Sequence, residues 1–265
     1  MKEEILHCLP EDYPWADQIR FVPETGSTNE DLKILAKQGA PHGTAILAGA
    51  QTRGQGRLGR SFHSPEDAGI YLSILLRPQC QPTELMHLTC AAAVAMCDAV
   101  EEATQLRPGI KWTNDLVFEK RKLGGILTEL GLTAKGAVDY VIVGIGLNCR
   151  QQETDFPEEL RSTAGSLAMV TGKAVHRAEI AASMLDALYA MSCTLFSGKF
   201  VMLRQYRKDC ITLGKDISLV RGEEVRYGTA LDVDEAGALV VRFHDGHVES
   251  VNSGEVSVRG MYGYL

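Results

Sequence analysis

Two stretches of this chain concentrate side chains able to grip anions. Gly54-Gln55-Gly56-Arg57-Leu58-Gly59-Arg60, just after Arg53, sets three arginines among three glycines. Glycine lets a backbone approach a ligand closely, and the arginine fork matches phosphate or carboxylate oxygens. The stretch fits G-x-G-x-x-G, but the residues after it, Ser-Phe-His-Ser-Pro-Glu-Asp, cannot form the amphipathic helix that a dinucleotide-binding turn must open. A kinase glycine loop would sit between strands, yet neither HRD nor DFG follows. Two readings stay open: a solvated basic loop, or an anion-gripping loop that orders on binding.

The second stretch is Lys111-Trp112-Thr113-Asn114-Asp115-Leu116, which places an ammonium, an amide and a carboxylate around one turn. Asn-Asp is also ordinary turn chemistry. Lys122 follows seven residues after Asp115 in EKRKLGGIL. Glu119, Lys120 and Arg121 read as a solvated hairpin tip, whereas Lys122 abuts an apolar strand and two glycines. His244-Asp245-Gly246-His247 reads as a hairpin turn rather than a metal pair. The chain contains no G-x-S-x-G, HExxH or G-x-x-x-x-G-K-[ST], so hydrolase-elbow, zincin and P-loop mechanisms have nothing to rest on.

The flanking patterns predict what positions these groups. Residues 28–38 form a short amphipathic helix, with a capping box at Ser27/Glu30 or Thr28/Asp31 and a left-handed stop at Gly39. Residues 44–51 and the segment IYLSILLR read as strands, and Pro82-Thr83 starts a long helix through AAAVAMCDAV. From Ile110 to Asn148 the short strands IKW, LVF, LGGILTEL and VDYVIVGIGLN suit a mostly antiparallel sheet, because no helix separates them. Helical patterning returns from Ser162 to about Cys210. Beyond Leu213-Gly214 five short strands punctuated by turns predict a small barrel. The expected division is therefore 1–212 and 213–265, in an α+β fold.

With 265 residues, 45% hydrophobic, 23% charged and a net charge of −7, the composition is that of a globular protein of one large and one small domain. The acidic balance argues against a general nucleic-acid binder. The longest unbroken apolar run, Cys90–Cys97, is far short of the ~20 residues of a membrane span. The acidic N-terminus has no apolar signal core, so a cytoplasmic location is expected. The seven cysteines, without a CxxC pair, read as reduced and mostly buried thiols.

Taken in order, GSTNEDLK, QTRGQGRLGRSFHSP, GIYLSILLRP, KWTNDL, RKLGGILTEL and GIGLN resemble the biotin-protein ligase family, and the tail resembles that family's small C-terminal barrel. The resemblance implies a catalytic domain like the class II aminoacyl-tRNA synthetase core, with a mixed, mostly antiparallel sheet, followed by an SH3-like barrel. It implies two steps: biotin and ATP, with Mg²⁺, give biotinyl-5′-adenylate, and a lysine of biotin carboxyl carrier protein then takes the biotinyl group. Arg57 and Lys122 would bridge the biotin carboxylate and the α-phosphate. Ser27, Thr28, Asn29, Gln51, Gln55, Gly56 and Gly125 would form the biotin pocket. Arg60, Lys111, Asn114 and Asn148 would face the nucleotide, with Lys111 also catalytic. Asp115 would be a metal-side carboxylate or the group that orients or deprotonates the incoming lysine.

The chain departs from the family pattern at Gln55, where Arg is usual, at Leu58 and Thr113, and at Phe62 in place of Trp. With 26 residues of acidic balance before Ser27, a monofunctional ligase without operator binding is expected, as monomer or homodimer. A lipoate-protein ligase and a non-catalytic biotin-sensing or carrier-binding module are the alternatives.

Overall fold

The computed structural model describes residues 1–253 and 257–260; 254–256 and 261–265, part of the expected barrel domain, lie outside the described residues. In chain order, helix α1 (Lys2–Cys8) leads into β1 (Ile19–Thr25), α2 (Thr28–Lys37), β2 (Ala45–Gln51) and β3 (Gly69–Leu76). Helix α3 (Leu88–Thr104) precedes β4 (Gly109–Lys111), β5 (Asp115–Phe118), β6 (Arg121–Leu132) and β7 (Val138–Asn148). Helices α4 (Leu167–Thr171), α5 (Arg177–Thr194) and α6 (Lys199–Asp209) follow. Strands β8 (Asp216–Arg221), β9 (Glu224–Val233), β10 (Leu239–Phe243), β11 (Val248–Val251) and β12 (Ser257–Gly260) close the described chain.

Strands β1 to β7 form one mixed sheet in the order β1-β2-β3-β7-β6-β5-β4, in which only the β1-β2 pair is parallel. Its two faces are read from alternate residues. Ile46, Leu75 and Ile142 pack with Leu32 and Ala36 of α2, whereas Leu47, Ile74 and Val143 join the larger core with α3 and α5. Helix α2 therefore covers one end of one face, and α3, α5 and α6 line the other. The face over β7, β6 and β5 beyond α2 is where the candidate site lies. Strands β8 to β12 make a second, antiparallel sheet in the order β11-β10-β9-β8-β12.

Several expectations need correcting. The long helix begins instead as a 3₁₀ turn, Pro82–Leu85, before α3. Together they are apolar enough by composition to pass for a membrane span, but 72% of that window is buried inside the fold. No capping box forms at α2: Ser27 makes no side-chain cap, Asp31 accepts from Thr25 Oγ1 at 2.6 Å, and Glu30 pairs with Lys33 at 2.7 Å. Strand β1 was not read as a strand; it is the sheet edge, the place where Pro23 costs no ladder bond. Cys8 and Cys193 are exposed rather than buried.

Candidate functional site

Hairpins and tethers build a cavity of about 300 Å³. The arginine-glycine stretch is not a loose loop. Residues 51–64 fold back as a hairpin through the bridges Gln51–Ser64 and Gln55–Ser61, with Gly56 N–H donating to Arg60 O at 2.7 Å and Phe62 N–H to Gly54 O at 2.9 Å. Its tip is turned by left-handed residues, Leu58 (φ 55°) and Gly59 (φ 72°). This aims Arg57 and Arg60 at the cavity, while Arg53 lies outside it, beside Gly26.

The β4-β5 turn is pinned from three directions. Tyr206 of α6 donates to Thr113 O at 3.0 Å, Trp112 Nε1 to Gly237 O at 3.0 Å, and Trp112 N to Thr212 Oγ1 at 3.0 Å. Such anchoring places Lys111, Asn114 and Asp115 at the cavity wall. Asn114 is a hub: its Nδ2 donates to Ile126 O at 3.0 Å and to Asp115 Oδ1 at 3.2 Å, and its Oδ1 accepts from Arg57 Nη1 at 2.9 Å. Lys122 Nζ completes the array by donating to Asp115 Oδ1 at 2.6 Å. The other arm of Arg57 donates to the carbonyl of Ser253, and Val258 also lines the cavity, so the second sheet's domain reaches the site.

Among the described residues, Arg57, Arg60, Lys111 and Lys122 face the cavity against one carboxylate, Asp115. Burial lowers the Arg57 guanidinium below its usual value. Lys111 is 9% exposed, and its ammonium is lowered chiefly by burial, against the pull of Asp115. Four cationic groups held in a partly desolvated cleft suit an anionic ligand or a reaction that joins two anions.

The other end is neutral and polar above an apolar floor. Thr28 backbone N–H donates to Gln51 Oε1 at 2.9 Å, and Gln51 Nε2 donates to Ser64 Oγ at 3.1 Å. Asn29 lies between Ser73 and Glu129. Gly144 and Gly146 of β7 leave the sheet bare where the Asn29 amide and the Phe62 ring rest; a Cβ on either glycine would collide with them. Asn148 Nδ2 donates to Gly165 O at 2.9 Å, fixing the 160–165 segment, which lines a further wall.

Ser27, Thr28, Asn29, Gln51, Gln55, Gly56, Arg57, Arg60, Lys111, Asn114, Asp115, Lys122, Gly125 and Asn148 all line this one cavity. Arg121 is not a merely solvated tip residue. It donates to Arg161 O and Ala164 O and pairs with Glu153, tying the 153–165 loop to β6 beside Lys122. Trp112, Ile126, Leu127, Phe156, Leu160, Thr163 and Ala164, none of them a reactive type marked out by its sequence context, supply the wall and floor. The loop residues among them carried no local signal.

Residues 20–148 match the Biotin/lipoate A/B protein ligase family, and residues 212–259 match the Biotin protein ligase C terminal domain. The chain is 33% identical to the biotin--[acetyl-CoA-carboxylase] ligase of Mycobacterium tuberculosis over 90% of its own length and 88% of that protein's. It is 32% identical to the bifunctional ligase/repressor BirA of Bacillus subtilis over 88% of its length and 71% of the relative's. Biotin protein ligase from Aquifex aeolicus, solved in complex with biotin and ATP, superposes with a TM-score of 0.77 at 31% identity, covering 91% of this chain and 98% of that one. With both family models matched in order along the sequence and a relative at 33% identity over most of its length, the chain belongs to the biotin protein ligase family.

Proposed function

We propose that the chain activates biotin with ATP and transfers it to a lysine of biotin carboxyl carrier protein, a subunit of the acetyl-CoA carboxylase that the Mycobacterium tuberculosis relative is named for. The observation that carries this reading is the joining of Arg57, Asn114, Asp115 and Lys122 in one hydrogen-bonded array at the wall of a cavity whose other end is neutral. In the first step a biotin carboxylate oxygen attacks the α-phosphorus and pyrophosphate leaves. Arg57 and Lys122 offset the charge of the two anions as they meet, from donors already oriented. Arg60, Lys111, Asn114 and Asn148 hold the nucleotide. Ser27, Thr28, Asn29, Gln51, Gln55, Gly56 and Gly125 surround the biotin ring, where the apolar floor and a few directed polar groups suit a ureido head.

In the second step the carrier's ε-ammonium gives a proton to water, the free amine attacks the acyl carbon, AMP leaves with the bonding pair, and the nitrogen's second proton also passes to water. Asp115, its Oδ1 shared by Lys122 and Asn114, offers the carboxylate that draws the incoming ammonium into line. Among the described residues no group of three His, Cys, Asp or Glu could hold a metal, so magnesium fits here as part of the ATP complex. It would keep waters and phosphate oxygens, with Asp115 as the one carboxylate at hand among the described residues. Bound there, it would screen phosphate charge. The division at 212/213 separates a catalytic part from a small β domain that supports Arg57 and Trp112 through Ser253 and Gly237.

Intact mass of the carrier after incubation with enzyme, ATP, Mg²⁺ and biotin tests the reading. A one-biotin increment that requires ATP is expected. No increment with biotin, or a lipoyl increment in its place, would overturn it.

A further inference from the structure

Beneath the neutral end of the cavity runs a chain of hydrogen bonds whose direction is set from outside the pocket. Glu129 of β6 accepts from Asn29 Nδ2 at 2.7 Å through one carboxylate oxygen and pairs with Lys33 at 2.6 Å through the other. An ionised carboxylate only accepts, so the Asn29 amide must turn its NH₂ toward Glu129 and its Oδ1 the opposite way. That Oδ1 takes the hydroxyl proton of Ser73 at 2.5 Å. Ser73 has one proton, so at 2.7 Å from Thr28 Oγ1 it can only accept. Thr28 therefore donates to Ser73 in preference to Gln51 Oε1 at 3.1 Å, which the Thr28 backbone N–H already serves. The lone pairs of Thr28 Oγ1 are left for the ligand.

We propose that Glu129 is a positioning residue for ligand recognition. Through Asn29 and Ser73 it holds Thr28 as a hydrogen-bond acceptor, and so selects a ring that presents an N–H there. The inference rests on the proposed function, in which that ring is the ureido head of biotin. Glu129 does not line the cavity and acts only through Asn29. A neutral amide in its place would accept or donate, Asn29 would flip, and the proton order down to Thr28 would lose its fixed direction.

Glu129→Gln is the test, read by pyrophosphate release with biotin and ATP varied separately. The biotin KM is expected to rise about tenfold, in keeping with one misdirected buried hydrogen bond, while kcat and the ATP KM stay within twofold. Ser73→Ala breaks the chain at its middle and is expected to give the same split, so the test survives if the first variant fails to fold. In an Asn29→Ala background, Glu129→Gln is expected to add nothing, which a general loosening of the fold would not produce. A biotin KM unchanged in both single variants, or a rise shared equally with ATP, overturns the proposal. Wild-type protein that releases no biotin-dependent pyrophosphate overturns the function itself; an active wild type beside an unaffected Glu129→Gln overturns only the role of Glu129.

Discussion

The ammonium of Lys122 lies 2.6 Å from Oδ1 of Asp115, although the two enter the cavity from different strands, β6 and β5. A bulge between Leu116 and Val117 shifts the register, so that Lys122 opposes Val117 and Asp115 opposes Gly125. Gly125 sits beside the pair: a Cβ there would lie in van der Waals contact with both, 3.4 Å from Lys122 Nζ and 3.5 Å from Asp115 Oδ1. The carboxylate thus anchors the lysine head group at the cavity wall.

Lys122→Ala is expected to reduce biotin-dependent pyrophosphate release by about 10² to 10³-fold, the usual effect of removing one preoriented donor from a site of developing charge. Thermal stability should change little, because Lys122 is partly exposed and the pair it leaves can be hydrated. Unchanged adenylation in this variant would remove Lys122 from the chemistry.

Arg57 uses both arms of its guanidinium at once, on Asn114 Oδ1 and on the carbonyl of Ser253. Lysine preserves the charge but not this two-point fork. Arg57→Lys is therefore expected to make adenylate slowly and to release it about tenfold faster in the absence of carrier, as measured by the appearance of free biotinyl-adenylate after removal of excess ligand. Retention equal to wild type would mean that the charge alone suffices.

The charged and amide groups that line the cavity were legible because their types are rare in combination: arginines among glycines, and a Lys, Asn and Asp around one turn. The hairpin that stiffens the first of these was not, since its bridges Gln51–Ser64 and Gln55–Ser61 join polar residues with no alternating pattern. Arg121 read as a solvated tip charge, and nothing in its sequence context marked Glu129. Their partners, Asn29 and the carbonyls of Arg161 and Ala164, lie 100, 40 and 43 residues away, beyond any local pattern. The two domains were visible in the change from helical to short-strand patterning, whereas the edge strand β1 was masked by Pro23 and its charged residues.

Gly144 and Gly146 belong to the pocket by what they omit. Gly144→Ala would drive a methyl into the Asn29 amide, and Gly146→Ala would drive one into the Phe62 ring. Each is expected to cost about 1 to 3 kcal/mol of stability, read as a lower Tm, because a packed neighbour must move. Gly144→Ala should also weaken biotin binding in calorimetric titration well beyond any effect on ATP. Wild-type biotin affinity in a folded Gly144→Ala protein would show that Asn29 has no bearing on the ligand.

Lys111 gives a pH dependence whose sign follows from its burial. Its ammonium is lowered from the ordinary 10.5 by desolvation, more than Asp115 raises it, with Lys122, Arg60 and Arg259 adding repulsion. In the free protein the charged form is thus disfavoured. The resulting cost to folding is present below the lowered value and fades as pH rises from there toward 10.5. A polyphosphate placed beside it reverses the balance and favours the proton. Nucleotide binding should therefore take up protons in the window above the free-protein value, and affinity for ATP should fall as pH rises through that window. Calorimetric titrations of ATP in two buffers of different ionisation enthalpy measure the uptake directly. Lys111→Met keeps most of the side-chain volume without the titrating group, so its uptake should be smaller than wild type; equal uptake in the two proteins would assign the proton to another group and remove Lys111 from the phosphate side of the site.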